Sequence, residues 1–115
     1  MIKKYKVLWG DVAELDLIGI IEYIAEDNPV TAKRILKKIQ EKASLLYHNP
    51  EKGRIVPELL DQGLAEYHEI VVAPWRIVYK IEKETVLIFS VFDARRNAED
   101  ILLQRLIAEK KLTKN

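Results

Sequence analysis

Residues 67–97, YHEIVVAPWRIVYKIEKETVLIFSVFDARRN, decide the fold. Three apolar runs rich in β-branched and aromatic residues are separated by Ala73-Pro74 and by the Glu82–Thr85 region. This pattern predicts strands at about 65–72, 75–81 and 86–92, meandering antiparallel. In the middle run Trp75, Ile77, Tyr79 and Ile81 alternate with Arg76, Val78 and Lys80. Side chains alternate across a strand, so the two sets occupy opposite faces. With Lys83-Glu84 as a two-residue turn, Ile81 falls opposite Val86, Tyr79 opposite Ile88 and Ile77 opposite Ser90. Arg76 then lies beside Val91 and diagonal to Asp93. Trp75, Ile77, Tyr79, Ile88 and Phe92 are the expected covered face. Arg76 projects from the other, where no long helix is expected to bury it. His68 depends on the first turn. A two-residue Ala73-Pro74 loop puts it with Ile70 and Trp75, opposite Arg76, and keeps Ile70 and Val72 inside. A loop one residue longer puts His68 and Arg76 on one face.

The segments upstream read as cover for this sheet. Tyr5–Trp9 is a short β-prone run ended by Gly10-Asp11. A helix is expected from Val12 to Asp27, with Asp11 as N-cap and Glu14 completing a capping box. Leu15, Ile18, Ile21, Ile24 and Ala25 recur at helical spacing. This helix is apolar over a broad arc, so it is expected to be covered on more than one side. Asn28-Pro29 breaks the chain, because proline disfavours the α conformation before it and suits the first helical position. A second helix is expected from Pro29 to Tyr47, antiparallel to the first. Ala32, Ile35, Leu36, Ile39, Ala43 and Leu46 form its apolar stripe. Lys33, Arg34, Lys37, Lys38 and Lys42 form a basic face, read as solvated or as a contact for nucleic acid or an acidic partner.

His48–Gly53 is a turn cluster. Arg54–Pro57 is extended and, with its proline, an edge piece. Glu58–Gly63 is a loop or a single helical turn. Downstream, Asn97 is the expected N-cap, with Asp100 at the third position, of a last helix reaching Lys110; the tail through Asn115 is expected to fray. Trp9 and Trp75 are read as core aromatics.

The 115 residues suit one domain, residues 1–115. About half are apolar and a third charged, as in a globular protein. There is no cysteine, which excludes disulfides and thiolate metal sites and fits a reducing cytoplasm. With two histidines a structural zinc site is not expected, nor is any other cofactor. The opening MIKKYKVLWGD lacks a long apolar stretch, so no signal peptide is expected. No run approaches the ~20 apolar residues that span a bilayer. Net charge is +1, with ten Lys/Arg against eight Asp/Glu up to Pro57 and nine against ten beyond it. Such balance argues against broad nonspecific DNA binding, though not against a local cationic site.

The order strand, helix hairpin, three-strand meander, short helix is an α+β arrangement. It resembles the RelE/ParE superfamily of toxins from type II toxin–antitoxin modules. The resemblance rests on DLIGIIEYIAEDNPVTA, NPEKGRIVPEL, EYHEIVVAPWRIVYKI and SVFDARRN, and covers almost the whole chain. It implies a helix hairpin packed on a small antiparallel sheet, and a cognate antitoxin that neutralises the toxin. RelE-like members are ribosome-dependent nucleases that cut mRNA; ParE-like members bind and poison DNA gyrase. The long hairpin and the VPEL and FDARRN wording look more like the ParE side. A homodimer, or a hetero-tetramer with the antitoxin, would use the apolar first helix.

Metal-free RNA cleavage needs a base for the 2′-hydroxyl, cations on the phosphate and an acid for the leaving oxygen. On the RelE-like reading, Arg76 matches a strand arginine, Arg95 and Arg96 the basic position after the last strand, and His68 a position usually lysine or arginine. These four would be the catalytic set. The departures are Ile70, where a second basic strand residue is expected, and Asp100 or Ile101, where a tyrosine acid is expected. No His or Tyr follows Asp93. The plainer readings pair Arg76 with Asp93 across the sheet and make Arg95 and Arg96 surface charges or contacts for an acidic antitoxin tail. A third reading is a member that binds its antitoxin but has lost toxicity.

Overall fold

The computed structural model describes residues 4–113, with the side chains of 4–111. The chain runs β1 (Lys6–Trp9), α1 (Asp11–Asp27), α2 (Pro29–Ser44), two 3-10 turns at Leu45–Tyr47 and Pro50–Lys52, then β2 (Arg54–Ile55) and α3 (Pro57–Leu60). The meander β3 (Tyr67–Val72), β4 (Trp75–Glu82) and β5 (Thr85–Asp93) follows, then α4 (Ala98–Thr113). The sheet has five strands in the order β1-β5-β4-β3-β2. β1 lies parallel to β5, and the remaining pairs are antiparallel. A parallel neighbour needs a long crossover, which the helix hairpin and the first two meander strands supply.

Local chemistry places the breaks. Asn28 is extended, and its Oδ1 accepts from the Thr31 amide at 3.1 Å, so it caps α2 with Pro29 in the first turn. Asn97 likewise accepts from the Asp100 amide at 3.1 Å. The expected Asp11 cap does not form. Gly10 occupies the cap position, no side chain caps the helix, and Asp11 is its first residue. There its carboxylate still faces the positive end of the helix dipole. α2 ends at Ser44, and the stretch assigned to its last turn winds as a 3-10 turn over Leu45–Tyr47. α4 reaches Thr113, beyond the expected Lys110. Residues 114–115 of the tail expected to fray lie outside the described residues.

The two hairpin turns are as short as the sequence suggests. Val72 pairs with Trp75 around Ala73-Pro74, and Glu82 pairs with Thr85 around Lys83-Glu84, Lys83 taking a left-handed φ of 55°. The register expected between β4 and β5 fails halfway. Ile81 pairs with Val86 and Tyr79 with Ile88, but then Val78 pairs with Ser90, Ile77 with Val91, Arg76 with Phe92 and Trp75 with Asp93. Phe89 is the extra residue of a β-bulge, and everything beyond it shifts by one. Val91, not Phe92, therefore joins the face under the helix hairpin. There Ala13, Leu17, Ile35, Ile39 and Leu46 pack on Ile77, Tyr79, Val86, Ile88 and Val91. Trp9 and Trp75 pack half-buried at the margin of this core.

The bulge brings Phe92 to the opposite face, where alternation from Ile88 already places Phe89. That face is not open, contrary to expectation. α3 and α4 cover it, packing Leu59, Ala98, Ile101 and Leu102 on Tyr67, Val78, Phe89 and Phe92. Burying two phenylalanines contributes roughly 1.5–3 kcal/mol each, enough to hold α4 down. The molecule is thus three layers: helix hairpin, sheet, and the α3–α4 pair.

Candidate functional site

Arg76 projects from β4 into the layer beneath α3, where it is 6% exposed. Its Nε donates to Glu69 Oε1 at 2.5 Å, and its two terminal nitrogens donate to Glu58 at 3.0 and 2.7 Å. Glu69, on β3, is itself 2% exposed and also accepts from Arg54 of β2. The guanidinium carbon sits 5.2 Å from the centre of the Phe92 ring. Two arginines and two glutamates thus make a neutral chain joining β2, β3, β4 and α3, with Arg54 at its exposed end. Hydrogen bonds from Arg76 hold the Glu58 carboxyl below its ordinary range, against a smaller opposing effect of burial. The Glu58 carboxylate in turn raises the Arg76 pKa, against partial desolvation, with Glu69 adding to the rise. The expected Arg76–Asp93 pair does not form. Asp93 instead accepts from the Arg95 amide and Nε at 2.9 Å each, and from its terminal nitrogen at 2.6 Å. The Arg95 side-chain bonds, with help from its amide, pull the Asp93 pKa down to about 2.

His68 lies on the far side of the sheet from Arg76. It pairs with Tyr79 and stacks on its ring, centroids 5.8 Å apart and planes inclined by 22°. Its Nδ1 is buried without a hydrogen-bond partner among the described residues. The Tyr79 hydroxyl donates to the Pro50 carbonyl, and burial pushes its pKa up to about 12. The backbone at Gly53 must come close to this hydroxyl: a Cβ there would run into it and lie 2.7 Å from the Glu69 carbonyl.

A groove of about 680 Å³ opens between the helix hairpin and the end of β5. Ile20, Ile24, Ile35 and Trp75 give it an apolar floor, and Arg95 and Arg96 stand on its rim. Arg96 is exposed. At one end of the groove Asp16 of α1 accepts from the Ser90 hydroxyl at 2.8 Å and the Val91 amide at 3.1 Å, just past the bulge. Arg105 of α4 lies 2.7 Å from the same carboxylate. Burial raises the Asp16 pKa, against the lowering effect of these partners.

The four residues singled out in the sequence therefore do not converge. Arg76 is under α3, His68 is on the opposite face, and Arg95 and Arg96 flank a separate groove. Sequence reasoning missed Glu58, Glu69 and Asp16. Glu69 carries a readable signal, since it shares a strand face with Val71, the neighbour of Arg76 across the turn. Asp16 shows only as an acid set between Leu15 and Leu17. Among the described residues no group of three or more acidic, His or Cys side chains is placed to hold a metal, and no helix is long and apolar enough to cross a membrane.

Known proteins share this architecture. The profile of the family described as ParE toxin of type II toxin-antitoxin system, parDE, matches residues 7–98. Toxin RelE2 of Caulobacter vibrioides is 30% identical over 91 residues, covering 79% of this chain and 97% of the relative. The chromosomal ParDE TA system from P. aeruginosa contains a chain that superposes with a TM-score of 0.66 at 15% identity, covering 78% of this chain and 96% of the other. The toxin–antitoxin complex RelBE2 from Mycobacterium tuberculosis gives a TM-score of 0.57 at 25% identity, covering 81% and 94%. With the hairpin, the sheet order and the profile match in agreement, this chain belongs to the ParE toxin family of type II toxin–antitoxin systems.

Proposed function

We propose that this toxin acts by binding a protein target, DNA gyrase, rather than by cutting RNA, and that a cognate antitoxin neutralises it by covering the groove beside Arg95 and Arg96. The observation that carries the reading is the state of Arg76. Its guanidinium makes three hydrogen bonds to two carboxylates, so the cluster has no net charge to offer a phosphate. His68 points from the other face of the sheet and cannot act on the same phosphate. Neither a His nor a Tyr follows Asp93 to serve as the acid. What remains accessible is a surface for recognition, which is what a gyrase poison requires. The match to the ParE profile favours gyrase as the target, and such a target puts the site of action in the cytoplasm.

The groove suits an antitoxin segment that is apolar on one side and acidic on the other. Leu15 and Tyr23 of α1 stand exposed on its wall, and Arg95 and Arg96 line its rim. The RelE-like relative and neighbour keep the mRNA endonuclease as the rival reading. Purified chain should inhibit supercoiling of relaxed plasmid by gyrase and leave translated mRNA uncut by primer extension. New primer-extension stops with unimpaired supercoiling would replace this reading by the rival.

A further inference from the structure

The near-zero net charge conceals a strong polarity. Between Pro29 and Arg54 there are seven Lys/Arg against two Asp/Glu, and the rest of the chain holds twelve against sixteen. All seven cations are exposed. Only two of them are ion-paired among the described residues, Lys37 loosely with Glu41 at 3.9 Å and Arg54 with Glu69. Arg34, Lys38 and Lys42 recur every four residues along α2, so they form one stripe with steps of about 6 Å. Such steps are comparable to those between successive phosphates of an extended strand.

The stripe leads into a second groove, of about 640 Å³, at the C-terminal end of α2. Lys42, Tyr47, His48, Asn49, Lys52 and Arg54 line it. The Tyr47 and His48 rings are exposed, with centroids 5.9 Å apart and planes tilted by 46°. We propose that the outer face of α2 and this groove form a binding site for single-stranded nucleic acid, with phosphates on the Arg34–Lys38–Lys42 stripe and a base stacked on Tyr47 or His48. Cations tracking a backbone beside free aromatic faces are the two components that such sites combine. An acidic peptide would use the cations but gain nothing from the rings. A duplex would keep its bases stacked out of the rings' reach. The site shares no lining residue with the Arg95–Arg96 groove, so it stands independently of the gyrase reading and stays accessible when that groove is filled.

Fluorescence anisotropy of a labelled 15-nucleotide oligo-dT, titrated with the full chain, tests this. Saturable binding is expected, with log affinity falling against log salt at a slope of about −2 for three phosphate contacts. Arg34→Glu/Lys38→Glu should weaken binding at least tenfold and flatten that slope. Tyr47→Ala should weaken it at least fivefold with the slope retained, and Arg95→Glu should leave it unchanged. These side chains are exposed, and a thermal melt verifies each fold; Lys42→Gln is the milder variant should the double charge reversal not fold. The proposal is overturned by absent binding at about 50 mM salt, or by variants of the stripe or of Tyr47 that bind like the parent. It is equally overturned if a duplex binds as tightly, or if polyglutamate of matched charge competes as well as oligo-dT, which would assign the face to an acidic protein.

Discussion

Glu69 and Arg76 meet diagonally across neighbouring strands, Glu69 Oε1 lying 2.5 Å from Arg76 Nε in a layer sealed by α3 and by Phe92. A charge buried in this way is held by its partner, and removing one member leaves the other unpaired. Arg76→Gln should therefore cost about 3 kcal/mol, the lower end of the range for breaking a buried pair, because Arg54 still faces Glu69. Arg76→Lys should not restore the loss, since a single ammonium cannot reach Glu58 and Glu69 with the same fork. Glu69→Gln/Arg76→Gln should cost less than Arg76→Gln alone. Urea unfolding of these three variants and of Glu69→Gln alone checks this, and additivity of Glu69→Gln and Arg76→Gln in the double variant would contradict it.

The acid limb of the stability curve should depend on Glu58. Its pKa in the folded chain lies below the ordinary 4.5. Below that value the unfolded chain binds the proton first, so the contribution is complete above pH 4.5 and is lost as pH falls through the folded value. Asp93, with a pKa lowered from 3.8 to about 2, acts with the same sign in a lower window. Asp16 acts oppositely: its folded pKa is raised above 3.8, so its ionisation withdraws stability as pH rises through that interval. Urea midpoints measured from about pH 7 to 3 should fall less steeply at the acid end in Glu58→Gln than in the parent, and more steeply in Asp16→Asn.

Gly53→Ala should destabilise the chain by roughly 1–3 kcal/mol, as overpacking does. The added methyl meets the Glu69 carbonyl at 2.7 Å and the Tyr79 hydroxyl, and neither is the end of a flexible chain. The thermal midpoint of Gly53→Ala compared with Gly63→Ala separates the two kinds of strain. At Gly63 the φ is +83° with nothing near, so that cost is purely conformational.

Helix caps should follow the observed bonds rather than the sequence motif. Asn28→Ala removes a side-chain bond to the Thr31 amide and should cost about 1 kcal/mol. Asp11→Ala removes no capping bond and should cost only the smaller dipole contribution, about 0.5 kcal/mol. Equal losses in the two variants would restore the capping box that the structure replaces with Gly10.

What was legible in the sequence, and what was not, follows from the range of each interaction. Alternation in Trp75–Ile81, the turns at 73–74 and 83–84, and the Asn28-Pro29 break are local, and each element they predict is present. The His68 face also follows from a local turn length, and the two-residue loop puts it opposite Arg76. The bulge at Phe89 shifts the register within β5, and no residue type announces it. Missing it misplaces Phe92 and Asp93 together, and with them the partner of Arg76. The fold-back of α4 is equally nonlocal. Its apolar residues Ala98, Ile101 and Leu102 are visible in the sequence, but the face they seek is defined by the bulge. The basic face of α2 is local as well, since Lys33, Arg34, Lys37, Lys38 and Lys42 recur at helical spacing.

Whether the strand arginine of this toxin braces the sheet or holds a phosphate is decided by gyrase inhibition with a folded Glu69→Gln/Arg76→Gln variant beside the parent. Half-maximal inhibition of supercoiling should occur at the same concentration for both, within about threefold, since that corresponds to less than ~0.7 kcal/mol of binding. A parent that leaves supercoiling untouched, or a folded double variant that alone loses inhibition, would contradict a gyrase poison braced by Arg76.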